Sequence, residues 1–198
     1  MLKNPLVISG GVIVLCMGIL ALFAPWVAPH DPTFINLDAV LYPPSAEYLM
    51  GTDALGRDVF SRMVYGARIS LLVGFVAVGI ATLIGIFFGA LAGFYGHKTD
   101  TIIMRFVDVM LCFPSFFLIL AVIAFLEPSI FNIMVVIGLT SWMGVTRLVR
   151  ADFMSLRNSD FVMAAKMQGI SDRRIMWRYM LPNAMAPVFV NVTLGIAG

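Results

Sequence analysis

Long apolar runs dominate this sequence and restrict its fold more than any other feature. Four of them reach the roughly 20 residues that a helix needs to cross the hydrocarbon core of a bilayer, at residues 6–27, 69–94, 106–125 and 130–149. Membrane β-strands would be shorter and would alternate apolar with polar residues, which these runs do not do. Because 61% of the residues are hydrophobic and only 12% are charged, we predict an all-α, polytopic transmembrane protein.

The two ends of the chain refine this prediction. The first run is preceded by Lys3 but exceeds the apolar stretch of a signal peptide, so residues 1–28 are predicted to be a retained first transmembrane helix. A fifth run begins near Ala184 and reaches Gly198 before it is long enough to finish a crossing. We therefore expect four complete spans plus the start of a fifth, whether the C-terminus is naturally short or a fragment boundary.

Basic residues set the predicted orientation. They concentrate between residues 147 and 178, whereas the segment 29–68 is mainly acidic. Positively charged loops stay in the cytoplasm. The N-terminus is thus expected in the cytoplasm, with 29–68 as an extracytoplasmic loop and 151–183 as a cytoplasmic loop.

Few residues in the sequence are candidates for catalysis or for binding a metal or cofactor. Cys16 and Cys112 lie far apart in apolar runs and are expected to be buried small residues, without metal-ligand spacing. His30 and His97 stand alone. The stretch "GFYGHKT", residues 93–99, has His97 where a phosphate loop requires glycine, and it reads as a helix end. We expect neither catalysis nor a cofactor or metal bound by this chain.

The cytoplasmic segment "FVMAAKMQGISDRRIMWRYMLPNA", residues 161–184, predicts two short helices. Ser159 or Asp160 would cap the first and Gly169 would end it; Ser171 would cap the second, which would stop at Pro182. The second helix carries apolar residues that are expected to pack on a partner: Ile175, Met176, Trp177, Tyr179 and Met180.

A membrane-tethered DNA-binding regulator is one alternative, because the spacing resembles a helix-turn-helix unit. That function needs a domain with its own core, which fewer than 40 loop residues cannot supply. A passive channel or another type of carrier is a second alternative, favoured if the loop has no partner.

The loop also resembles the conserved cytoplasmic loop of ABC importer permeases: Glu-Ala-Ala, three residues, Gly, nine residues, Ile, any residue, Leu-Pro. Met163 stands in place of Glu and Tyr179 in place of Ile. The remaining positions of the pattern match: Ala164, Ala165, Gly169, Leu181 and Pro182. In that family the loop couples the spans to a cytoplasmic ATPase.

A second motif narrows the resemblance. The stretch "GTDALGRD" is similar to a signature of dipeptide, oligopeptide and nickel permeases, and specifically of the dipeptide "C" type; its matching residues are Gly51, Thr52, Asp53, Gly56, Arg57 and Asp58. Residues 104–118 and 138–166 resemble the same subunit. From the residues alone, Asp53, Asp58 and Arg57 are expected to form a capped turn with local ion pairs, or else a cation site.

The resemblance implies an ABC permease domain over residues 69–198 in a family with six spans. Its function would be ATP-driven import of peptides, or of nickel or another small solute, by alternating access across the cytoplasmic membrane. ATP and Mg would be bound by partner subunits. The implied partners are a second homologous permease, two ATPases, an extracytoplasmic solute-binding protein and the lipid membrane, with no nucleic acid.

Packing features complete the predictions. Arg105 and Asp108 are three residues apart on one helical face and are expected to form a structural pair within the membrane, the alternative being a role in the substrate path. Pro114 is expected to kink the third span. Glycines punctuate the second span and predict close helix approach: Gly74, Gly79, Gly85, Gly89 and Gly93.

Overall fold

The computed structural model describes residues 5–197, apart from the side chains of Leu6, Val7 and Ala197. Lys3, which precedes the first apolar run, lies outside this range. The chain divides into two compact units, Met1–Leu72 and Val73–Gly198.

The first unit contains two helices, a folded loop and the beginning of a long helix. Helix α1 spans Pro5–Leu22, α2 spans Ala24–Val27, and a single 3-10 turn covers Leu37–Ala39. The loop closes on itself through backbone hydrogen bonds, including one from the Leu41 N–H to the Asp53 carbonyl oxygen at 3.2 Å. Helix α3, Val59–Tyr95, begins here and continues into the second unit.

The second unit is built from helices that follow one another closely. After α3 come α4, α5 and α6, which span His97–Leu111, Ser115–Ala124 and Ile130–Leu156. The short helices α7, Asp160–Met167, and α8, Asp172–Arg174, lead into a π-helical segment, Ile175–Met180, and then α9, Leu181–Ala197. The described part of the chain contains no β-strand beyond one isolated bridge, Thr52 with Asp58.

Glycines bring α3 and α6 together. A Cβ added at Gly85, Gly89 or Gly93 would lie between 2.5 and 2.7 Å from the nearest atom of α6. Such distances are too short for ordinary contact, so only glycine allows this approach. The predicted close packing is confirmed at these positions. It is wrong at Gly79, where a Cβ would meet nothing within 4 Å.

Within the described residues, three helices are long and apolar enough to cross a membrane, or four if the bent pair α4–α5 is one span. The all-α, polytopic prediction is confirmed, although individual spans differ from expectation. The third predicted run is not one helix. It is divided between α4 and α5, which meet at an angle of 80°, with Pro114 directly before α5, whereas only a kink was expected there. The first run is divided between α1 and α2, and its apolar helix Ile8–Leu22 is shorter than a full span.

The last helix corrects two predictions. The second loop helix was expected to stop at Pro182, but it continues through this residue. The fifth run was expected to be too short for a crossing, but the stretch Asp172–Ile196 is by length and composition a candidate span. The π-helical winding explains the continuity: the Leu181 N–H bonds to the Met176 carbonyl oxygen, five residues back. This wider turn accommodates a proline, which has no N–H to donate and whose ring crowds an α-helical turn.

The cysteine prediction was also wrong in one respect. Both Cys16 and Cys112 are free thiols, but both are exposed on this chain rather than buried. Their helices present apolar surface outward, as expected where lipid or another membrane helix replaces water. Apolar character in the sequence therefore does not imply burial within the same chain.

Candidate functional site

The loop between α6 and α9 forms a hairpin of short helical segments. Gly169 has φ +72°, the left-handed conformation that glycine tolerates best. Its N–H bonds to the Lys166 carbonyl oxygen at 3.0 Å, and the Ile170 N–H bonds to the Ala165 carbonyl oxygen at 3.2 Å. These two bonds form a Schellman motif, which ends α7. The prediction that Gly169 ends the first helix is confirmed.

The capping serines occupy the expected places without the expected bonds. Ser159 and Ser171 stand at the N-cap positions of α7 and α8, but neither side chain bonds to its helix. The Ser159 hydroxyl instead donates to the Leu156 carbonyl oxygen at 2.6 Å. This bond fastens the end of α6 to the start of the hairpin.

One side of the hairpin belongs to the core of the second unit. Val162 and Ala165 of α7 are buried together with Ile175, Met176 and Met180. They pack in one cluster with residues of α3, α6 and α9, among them Phe94, Val149, Phe153 and Val188. The prediction that the second helix offers its apolar residues to a partner was therefore wrong for these three, because the chain's own spans cover them.

Trp177 and Tyr179 are only partly buried. The Trp177 ring stacks on Phe87 of α3, with 6.4 Å between ring centroids. Leu181 packs at the edge of the same cluster, and Pro182 lies in the first turn of α9. The predicted coupling residues are thus brought together, but most of them join the hairpin to the spans.

The other side of α7 carries the exposed apolar surface. Met167 is 90% exposed and Met163 is 52% exposed, with Phe161 and Ala164 also outward. Arg173 and Arg174 are exposed on the next short helix, α8. We call Phe161, Met163, Ala164 and Met167 the α7 tip. Sequence reasoning included Met163 and Ala164 but missed Phe161 and Met167, because α7 is apolar on both its buried and its exposed side.

The GTDALGRD motif forms a turn organised around Asp53. Its carboxylate accepts hydrogen bonds from the Leu55 N–H at 2.8 Å, the Arg57 N–H at 3.0 Å and the Arg57 side chain at 2.8 Å. Arg62 makes a further ion pair with it. The Arg57 side chain, with these backbone donors, holds the pKa of Asp53 well below its ordinary value. The capped turn with local ion pairs is confirmed.

The motif glycines allow close backbone contact. Gly51 and Gly56 have φ +72° and +70°, and a Cβ on Gly56 would lie 1.7 Å from the Asn36 carbonyl oxygen. The Thr52 hydroxyl accepts from the Tyr42 N–H at 2.8 Å and donates to the Ala39 carbonyl oxygen. Each motif residue therefore supports the loop itself.

Asp58 joins the loop to the start of α3. Its buried carboxylate accepts from the Ser61 N–H at 3.0 Å and from the Ser61 hydroxyl at 2.5 Å, which caps the helix. Burial alone would raise the pKa of Asp58, but the Ser61 bonds outweigh it and the pKa is lowered. His30 lies 3.6 Å from the same carboxylate, so this histidine is not isolated as the sequence suggested.

The predicted Arg105–Asp108 pair was wrong. Asp108 accepts from Arg147 of α6 at 2.7 Å, whereas Arg105 is exposed. A second bond between the same two helices runs from Arg150 to Asp100 at 2.6 Å. A partner on a neighbouring helix lies far away in sequence, and spacing along one helix cannot reveal it.

Comparison with known proteins agrees with these motifs. Residues 85–198 match the family described as binding-protein-dependent transport system inner membrane component, and residues 1–44 match the N-terminal TM domain of oligopeptide transport permease C.

Three relatives align along nearly the whole chain. The dipeptide transport system permease protein DppC of Alkalihalophilus pseudofirmus is 44% identical over 98% of this chain and 64% of its own length. DppC of Haemophilus influenzae is 38% identical over 98% of this chain and 68% of its own. The probable D,D-dipeptide transport system permease protein DdpC of Escherichia coli is 42% identical over 99% and 66%.

The chain thus spans about two thirds of the length of these curated relatives. Both the family match and the relatives agree with the resemblance drawn from the loop and the GTDALGRD motif. The chain belongs to the family of binding-protein-dependent transport system inner membrane components, the permease subunits of ABC importers.

Proposed function

We propose that this chain is a permease subunit that moves di- or oligopeptides across the cytoplasmic membrane, driven by ATP hydrolysis on partner subunits. The N-terminus and the hairpin face the cytoplasm, and residues 29–68 face outward. The permease pairs with a second, homologous permease, binds two ATPases that carry ATP and Mg, and receives its solute from an extracytoplasmic binding protein. This chain supplies the passage and performs no catalysis.

The observation that carries this proposal is the two-sided hairpin. Its inner side is continuous with the core of α3, α6 and α9, where Ile175 and Met180 are fully buried. Its outer side exposes the α7 tip, with Met167 at 90%. A surface methionine cluster adapts to an apolar groove. Force applied at the tip would therefore reach three membrane helices through packed side chains.

The same geometry argues against a DNA-binding unit. A helix-turn-helix domain folds around its own core, whereas the buried side of this hairpin is completed by the spans. The names of the relatives favour peptides as the solute, since they are dipeptide, D,D-dipeptide and oligopeptide permeases.

Transport is tested with the whole importer. Cells that lack their own dipeptide permease receive this protein with its partner subunits, and uptake of a labelled dipeptide is followed. We expect uptake that stops when the ATPase subunits are inactivated. Uptake no greater than in cells without this chain would refute peptide transport, and uptake that persists without functional ATPases would instead show a passive channel.

Docking is tested with two variants of the same loop. Met167→Asp places a charge at the α7 tip, where it must be desolvated on docking. Asn158→Asp adds the same charge at an exposed position outside the tip. We expect Met167→Asp to reduce ATPase co-purification and dipeptide uptake together by at least about tenfold, while Asn158→Asp leaves both near normal. Equal behaviour of the two variants would exclude the α7 tip as the docking surface.

Orientation has a separate test in which Cys16 and Cys112 are first replaced by serine. A cysteine at Glu47 should then react with an impermeant thiol reagent in intact cells, and a cysteine at Asn158 should react only after lysis. The opposite pattern would invert the topology and would remove the hairpin from the cytoplasm.

A further inference from the structure

A small cavity lies between three of the helices in the second unit. It has a volume of about 250 Å³, and its lining includes Thr82 of α3, Ser141 of α6 and Asn191 of α9. The rest of its lining is small or aliphatic, and none of the described residues around it is charged. We call it the α3–α6–α9 cavity.

The polar side chains that line this cavity have no hydrogen-bond partner among the described residues. The Thr82 hydroxyl is buried without a hydrogen-bond partner, and within residues 5–197 the Ser141 and Asn191 side chains have none either. A buried, unpaired hydroxyl is costly, more so where lipid excludes water. Ser141 and Asn191 are exposed on this chain, so the buried Thr82 hydroxyl lies beside two polar side chains that reach the surface, and the three come from three helices.

Other hydroxyls in α6 and α9 form hydrogen bonds within their own helix. The hydroxyls of Thr140 and Thr146 donate to carbonyl oxygens four residues back, at 2.9 and 3.1 Å, and the Thr193 hydroxyl donates to the Val190 carbonyl oxygen at 2.9 Å. Back-bonding of this kind is the usual solution for a hydroxyl in a helix. Thr82 does not use it, so its hydrogen-bonding capacity is directed to the cavity.

The cavity lies deep along the helices. Thr82 is 13 residues before the end of α3 at Tyr95, and Ser141 is 15 residues before the end of α6 at Leu156. At 1.5 Å per residue, both lie about 20 Å from those ends. The hydrocarbon core is about 30 Å thick, so these polar groups stand well inside the apolar segments, where such groups line water-filled paths or contact a ligand.

We propose that the α3–α6–α9 cavity contacts a peptide group of the solute during its passage, which rests on the proposed function of peptide transport. Hydroxyls and a carboxamide both donate and accept hydrogen bonds, and so match the N–H and C=O of an amide. Since every peptide carries this group, the contact would accept peptides with different side chains. A volume below the 300–1,000 Å³ of drug-sized ligand pockets suits one segment of a peptide.

Water and solute access are tested by labelling in the assembled transporter. Cys16 and Cys112 are replaced by serine, and Ser141→Cys is treated with a small charged methanethiosulfonate, which reacts only where water reaches. We expect reaction in the working transporter, slowed at least about fivefold by a transported dipeptide with ATP. Leu83→Cys, beside Thr82 but 72% exposed on the outer surface of α3, should stay unreactive and unaffected.

Three results would overturn the proposal. Ser141→Cys that is reactive in the isolated chain but not in the transporter would mean that another subunit covers the cavity. If Ser141→Cys reacts neither in the isolated chain nor in the transporter, water does not enter the cavity. If it reacts but dipeptide does not slow the reaction, water enters the cavity and the solute does not contact it. None of these outcomes affects the proposed function itself, which is judged by dipeptide uptake through the unchanged transporter.

A second measurement concerns Thr82. Thr82→Val keeps the shape of the side chain and removes the hydroxyl, and we expect dipeptide uptake to fall about 3- to 10-fold at normal ATPase co-purification, as expected for a neutral hydrogen bond. Thr146→Val, which removes a hydroxyl that is already bonded within its own helix, is the matched control. Equal uptake by the two variants would overturn the role of Thr82.

Discussion

Replacing Gly89 with alanine should separate α3 from α6. The added Cβ would lie 2.7 Å from the Thr146 carbonyl oxygen, 2.7 Å from the Val149 Cβ and 3.1 Å from the Arg150 nitrogen. Two of these neighbours are backbone atoms, so no side-chain rotation can relieve the contact. Ordinary carbon contacts lie at about 3.5–4.0 Å, and α6 must therefore retreat by about 0.8 Å.

The cost follows from the contacts that this retreat weakens. A gap of 0.5–1 Å forfeits a quarter to a half of each dispersion contact, and each contact is worth about 0.1–0.2 kcal/mol. For about 30 atom pairs between these helices, the loss is about 1.5 kcal/mol, within the 1–3 kcal/mol typical of an overpacked core. The equilibrium constant for unfolding should rise about tenfold.

The assay is unfolding of the detergent-solubilised protein along a denaturant titration, with Gly79→Ala as the matched control. Both variants add one methyl group to α3, but at Gly79 it meets nothing within 4 Å. The difference in unfolding free energy between the variants therefore isolates the helix contact from helix propensity. If the two proteins unfold at the same denaturant concentration, the close approach of α3 and α6 does not stabilise this unit.

Three further predictions concern other parts of the chain. Gly56→Ala places a Cβ 1.7 Å from a backbone oxygen at φ +70°, so the loop should lose about 3 kcal/mol or more and become protease-sensitive. In a double-mutant cycle, Asp108→Asn should show coupling of up to about 1 kcal/mol with Arg147→Gln, since both side chains are half exposed, and none with Arg105→Gln. Because the pKa of Asp53 is lowered in the fold, its contribution should be complete above about pH 4 and lost as the pH falls further; thermal unfolding of the wild type and of Asp53→Asn should converge in acid.

Features that depend on local backbone chemistry could be predicted from the sequence. Gly169 ends α7 because a left-handed residue is required there and glycine supplies it at little cost. Gly85, Gly89 and Gly93 recur every fourth residue and so share one helical face. Gly79 is six residues from Gly85, which places it on another helical face, and the spacing itself explains why it does not contact α6.

Features that depend on neighbouring helices could not be predicted in this way. Asp108 pairs with Arg147, which is 39 residues away in the sequence, and no helical periodicity relates the two positions. Ile175 and Met180 are apolar whether they face a partner or the chain's own core, so composition could not decide between these surfaces. The α3–α6–α9 cavity unites three helices whose polar residues are individually unremarkable.

The unbroken helix from Asp172 to Ala197 has a mechanical consequence. Asn191 lies 20 residues beyond Ser171, which at 1.5 Å per residue is an arm of about 30 Å. A rotation of one degree about the hairpin end would displace the Asn191 backbone by about 0.5 Å, and six degrees would displace it by about 3 Å, the length of a hydrogen bond. An angular change too small to repack the docking surface would thus suffice to make or break a polar contact at the far end of the arm.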